Sequence, residues 1–114
     1  MPIESNTAMI IAGVPEIHAS LYRKIQFSVH DPVVMIEFDG GKKRLLIVRD
    51  IEMERAKLNA RVTDVHCPAD FAPAEGLSGD RATATAQAAA ECLRRSGVQV
   101  VRGDRLLPLI YVEM

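Results

Sequence analysis

The residues of this chain able to do chemistry are few and scattered. Its three histidines, His18, His30 and His66, stand far apart, and none pairs with another His, Cys or Glu at the spacing of a zinc site. His66-Cys67 is the one adjacent soft pair, and two ligands do not close a metal shell. Asp50, Glu52 and Glu54 form the densest run of carboxylates, the residue type that a two-metal hydrolase gathers from different strands. Their i, i+2, i+4 spacing on one segment is better explained as a helix start whose acids match the positive end of the dipole. Gly40-Gly41-Lys42-Lys43-Arg44 has the residue types of an anion site. It joins a strand to a strand, without the helix N-terminus that a phosphate loop requires, and reads as a hairpin tip. Ser20, Ser28, Ser78 and Ser96 include no Gly-x-Ser-x-Gly elbow, so no nucleophile is set up.

The elements that would position these groups follow from hydrophobic pattern and turn residues. Met9-Ile-Ile-Ala12, closed by Gly13 and Pro15, reads as a first strand, and residues 20–27 fit either a helical turn or an extended segment. Val33–Phe38 and Arg44–Val48 flank Asp39-Gly40-Gly41-Lys42 and make a hairpin. Both runs are almost continuously apolar, which predicts a sheet covered on both faces. Asp50 is expected to cap a helix through Ala60 that buries Ile51, Met53, Ala56 and Ala60. A strand over 62–67 stopped by Pro68 and a loop over 68–79 follow. A long helix over 80–95 begins at Ser78 or Asp80 and ends at Gly97, with a stripe of Ala82, Ala86, Ala89, Ala90 and Leu93. Val98–Val101 is a further strand, and a helix starts near Leu106 with Pro108 in its first turn. The sequence is expected to end inside that helix, without a C-cap, as a fragment would. The order β, β-hairpin, α, β, α, β, α predicts a mixed α/β sheet with helices on both faces.

Composition narrows the functional classes. At 114 residues, 48% hydrophobic and 25% charged, the chain is one globular domain, with residues 1–8 expected as a flexible N-terminus and 9–114 as the folded unit. Fourteen basic residues balance fifteen acidic ones and aromatic residues make up 4%, which argues against a nucleic-acid partner. No apolar run approaches the roughly 20 residues needed to span a bilayer, and the N-terminus lacks a signal peptide's pattern. Cys67 and Cys92 are too few and too separated for a disulfide framework and suit reduced thiols in a cytoplasmic protein.

One region is more specific than its composition. Phe27-Ser-Val-His-Asp-Pro-Val-Val-Met-Ile-Glu-Phe38, then Gly41-Lys-Lys-Arg-Leu-Leu-Ile-Val-Arg-Asp50, then Ile51-Glu-Met-Glu-Arg-Ala-Lys57 resembles the N-terminal domain of the creatinase and Xaa-Pro peptidase family, which includes aminopeptidase P and prolidase. The family's phenylalanine before an Asp-Pro turn, its Gly-Lys hairpin and its Asp-x-Glu-x-x-Arg-Ala helix start are matched at Phe27, Gly41-Lys42 and Asp50–Ala56. Val98-Gln-Val-Val-Arg102 followed by Leu107-Pro108 is similar to a later strand and helix of the same domain. Where members carry Thr-Gly before the phenylalanine, this chain has Ile25-Gln26.

The resemblance implies a three-layer α/β/α, ribonuclease-H-like domain with a central hairpin and no catalytic residues of its own. It implies a C-terminal "pita-bread" partner domain, whose two Asp, one His and two Glu hold two divalent ions (Mn, Co or Zn) that activate water against an Xaa-Pro bond. No residue of this chain matches those ligands. The N-terminal domain of such enzymes walls the cleft for short proline-containing peptides and builds a dimer or tetramer, which makes Tyr22, Arg23 and Phe27 the candidate cleft or interface residues. Two other classes compete with this expectation: a free-standing α/β binding module, since fold does not fix function, and a nuclease using Asp50, Glu52 and Asp64.

Overall fold

The computed structural model describes residues 7–29, 31–98 and 100–103. Among the described residues, five strands and three α-helices follow in the order β1 (Thr7–Gly13), α1 (Ala19–Ile25), β2 (Val33–Phe38), β3 (Lys43–Ile47), α2 (Met53–Asn59), β4 (Asp64–His66), α3 (Arg81–Arg95) and β5 (Val100–Gly103). The sheet order is β4-β3-β2-β1-β5. β2 is antiparallel to both neighbours, whereas β4 joins β3 and β5 joins β1 in parallel, so β2 alone runs against the rest.

Hydrophobic pattern explains the layers. Val33 to Ile36 of β2 and Leu45 to Val48 along β3 are all buried, because alternate residues meet opposite helical layers. One face packs Ile10, Val34, Ile36 and Ile47 against Ala88, Ala89 and Cys92 of α3. The other packs Ile11, Met35 and Leu46 against Leu21 and Ile25 of α1 and Ala56 of α2. The expected α/β class, three layers and central hairpin are all present. The hairpin turns through Gly40 (φ 67°, ψ 26°) and Gly41 (φ 91°), left-handed conformations that glycine adopts without a Cβ clash.

Several expectations shift. β1 begins at Thr7, so the strand takes in Thr7 and Ala8; residues 1–6 and the expected helix from Leu106 to Met114 lie outside the described residues. The ambiguous 20–27 segment is helical through Ile25. Asp50 does not cap α2: the chain enters through a 3-10 turn over Asp50–Glu52, where Asp50 Oδ1 accepts the Ile51 N–H at 2.9 Å. That turn rotates Ile51 outward to 67% exposure, leaving Ala56 as the buried residue of α2. The strand expected over 62–67 is confined to three residues, and of the strand expected over 98–101, Val98 lies outside β5, which spans Val100–Gly103. On α3, Ala82 is exposed, and the buried stripe runs through Ala84, Thr85, Ala86, Ala88, Ala89 and Cys92.

Asp80 caps α3, accepting the Thr83 N–H at 2.9 Å and the Thr83 hydroxyl at 2.8 Å. Those bonds hold its carboxyl below the ordinary value of 3.8. A depressed acid contributes stability above its unfolded value, and the contribution is lost as pH falls through the folded value. Acid titration followed by circular dichroism should therefore show α3-linked stability declining below about pH 4. Asp80→Asn keeps a cap acceptor and should flatten that decline. In the core, Ala89→Leu should cost about 1–3 kcal/mol in urea unfolding, because α3 sits directly on the sheet there.

Candidate functional site

The three candidate residues lie on or beside α1. This short helix is held by an uncommon cap: His18 is buried, and its Nδ1 accepts the Leu21 N–H at 3.2 Å. The imidazole fits because Gly13 carries no side chain, a Cβ there falling 2.9 Å from His18 Cδ2. At the other end Gln26 takes a left-handed conformation (φ 52°), and its N–H donates to the Tyr22 carbonyl at 2.7 Å. The turn drops the chain inward, so the next residue enters the core.

The candidates consequently separate. Tyr22 is 42% exposed and lines a shallow cavity of about 470 Å³ with Ile17 and Ser28. Arg23 is exposed beside it, its carbonyl accepting from Gln26 Nε2 at 2.9 Å. Phe27 is 3% exposed and packs in the core between the sheet and α1. The Arg55 guanidinium lies over its ring at 4.4 Å, the distance of a cation–π contact.

Arg55 ties this corner together. It donates to the Ser28 carbonyl at 3.2 Å and, through Nε and Nη2, to Glu52 Oε1 at 3.1 and 2.8 Å. Nearby, Arg49 Nη1 donates to Asp31 Oδ2 at 3.2 Å, linking the end of β3 to the entry of β2. The Arg61 N–H reaches the Ile25 carbonyl at 2.6 Å and joins the end of α2 to α1. These groups fix geometry; none is a nucleophile or an acid–base pair.

The remaining polar clusters are structural in the same sense. Asp50 bonds its own neighbour's N–H, Glu52 holds Arg55 and Glu54 faces solvent, so the acidic run does not converge. His66 Nδ1 lies 2.9 Å from Asp70 Oδ2, which also accepts the Cys67 N–H at 3.3 Å. The His66 bond, with that N–H, keeps the Asp70 carboxyl below its usual range. The His66 ring meets Phe71 edge-on at 4.9 Å. His30 lies outside the described residues. Cys92 is buried, which pushes its thiol up, and both cysteines are free. Among the described residues, no three His, Cys, Asp or Glu side chains are placed to hold a metal ion. Within those residues no helix is long and apolar enough to cross a membrane.

Glu37 is the functional-type residue that the sequence reading missed. It is 8% exposed on β2, with Lys24 Nζ at 3.2 Å and Arg44 Nε at 2.8 Å, both from its Oε2. A lone charge inside the run Val-Val-Met-Ile-Glu-Phe was the available signal: a carboxylate within so apolar a strand must find cations.

Comparison with known proteins gives little beyond this geometry. No protein-family model matches the chain, and no curated protein matches it. Among solved structures, the prolidase from Pyrococcus furiosus is similar over 84% of this chain at 15% sequence identity, with a TM-score of 0.44. The chain spans 28% of the length of that protein.

If Arg55 locks the corner, Arg55→Ala should lower stability by about 1–2 kcal/mol in urea unfolding through loss of the ring contact and its hydrogen bonds. Arg55→Lys should recover less than half, because an ammonium cannot lie flat on Phe27 while reaching Glu52.

Proposed function

We propose that this chain is the non-catalytic N-terminal domain of a metal-dependent Xaa-Pro peptidase, and that it serves oligomer contact and peptide access to a C-terminal dinuclear-metal domain. One observation carries the reading. The residues of the family-like motif are spread over 27–57, yet Phe27, Asp31, Arg49, Glu52 and Arg55 meet in one interlocked corner. Contact among the members of the motif supports reading the stretch as one unit of that domain type. The adjoining outer surface of α1, with Tyr22 and Arg23 exposed, is then the surface offered to the cleft or to a second subunit. Phe27 acts beneath it as the floor that positions Ser28 and the α1 exit.

Two measurements test the reading together. The native polypeptide, sized by intact mass and read past Met114 in its coding sequence, should run to several hundred residues, with two Asp, one His and two Glu downstream as the metal set. Purified residues 1–114 with Mn²⁺, Co²⁺ or Zn²⁺ should leave Xaa-Pro peptides uncut. Hydrolysis by the 114-residue chain, or a native product that ends at Met114, would overturn it.

A further inference from the structure

The hairpin tip borders a charged cavity. Across the sheet, Met9 of β1 pairs with Arg102 of β5 on one side and with Glu37 of β2 on the other, and Glu37 pairs with Arg44 of β3. Residues opposite one another in register share a face. Arg102, Met9, Glu37 and Arg44 therefore form one row on the face that carries α1, with Lys24 reaching Glu37 from that helix. At this end of the sheet lies a cavity of about 590 Å³, lined among others by Met9, Glu37, Gly40, Gly41 and Arg102.

We propose that this cavity binds a phosphate group that still carries a hydroxyl. Arg102 and Glu37 line the cavity, while Lys24 and Arg44 contact Glu37 from outside the lining, so this row sets three cations against one carboxylate and the local field favours an anion. Arg102 is exposed and makes no ion pair among the described residues, which leaves its fork of N–H donors available for an oxyanion. Gly40 and Gly41 offer the cavity only main chain, and successive residues in such turn conformations make concavities that hold anions.

Glu37 sets the selectivity. Lys24 and Arg44 both contact Oε2, so among the described residues Oε1 is the oxygen left to accept a hydrogen bond. A buried carboxylate repels a fully ionised oxyanion but accepts a proton shared from a P–OH group. Sulfate, which has no proton to offer near neutral pH, fails that requirement. The same chemistry admits free orthophosphate or a protonated phosphate monoester, and the inference does not rest on the peptidase reading.

The test uses the 114-residue chain, with orthophosphate, sulfate and glycerol phosphate as probes and amide NMR as the readout. Orthophosphate should shift the Gly40 and Gly41 amides saturably, and sulfate should bind at least about tenfold more weakly, the loss of one charge-assisted hydrogen bond. Arg102→Ala, an exposed edge substitution, should weaken orthophosphate by about tenfold or more without altering the fold. Glu37→Gln should abolish the preference for phosphate over sulfate. At about pH 6, where a monoester is partly protonated, tighter binding of glycerol phosphate identifies an ester as the ligand, and tighter binding of orthophosphate identifies the free ion. Equal binding of sulfate and orthophosphate to the unaltered chain, no saturable shift with either phosphate, or an Arg102→Ala chain that binds as before would each overturn the proposal.

Discussion

Burial of the β2–β3 hairpin on both faces is the constraint from which the architecture follows. An ordinary antiparallel hairpin shelters one face and wets the other. Here Val33 to Ile36 and Leu45 to Val48 leave no face for water. Removing each such side chain from solvent is worth about 1.5–3 kcal/mol, and that gain needs a helical layer above and another below. α3 supplies one layer with small side chains that bring it close to the sheet, and α1 with α2 supplies the other. The parallel strands β4 and β5 then extend the sheet at its two edges.

Much of this was legible because the signals are local. Asp-Gly-Gly between two β-rich runs, Asp80 three residues before the Thr83 amide it caps, Pro68 after β4 and Gly97 after α3 each act within a few residues of themselves. The failures have local causes too. α1 was ambiguous because its cap is a histidine nitrogen, available only where Gly13 leaves room for the ring. Asp50 has the residue type and position of a cap, but it starts a 3-10 turn whose tighter winding turns Ile51 to solvent.

The candidate site was less legible, for a different reason. Arg55 on Phe27, Arg49 on Asp31 and Arg44 with Lys24 on Glu37 join residues 13 to 28 positions apart in the chain or on neighbouring strands. No periodicity encodes such partners. What the sequence held was their need: a carboxylate in an apolar strand and a phenylalanine at the exit of a helix. Only the packed sheet shows which cation answers each. Tyr22 and Phe27, five residues apart, illustrate the point, because the left-handed Gln26 between them sends one to the surface and the other into the core.

The pairing of β1 with β5 also orders events in time. β2 and β3 are joined by a tight turn and β1 reaches β2 across α1, so the contacts of these three strands close over shorter spans than those of β5. β5 must instead return across α2, β4 and α3 to place Val100 beside Thr7, a closure whose entropy is lost before its hydrogen bonds form. During synthesis the meander can collapse while α3 is still emerging, and until β5 arrives β1 shows a bare edge carrying Ile10 and Ile11. The nascent chain is most prone to pair with a neighbour in that interval, and the docking of β5 ends it.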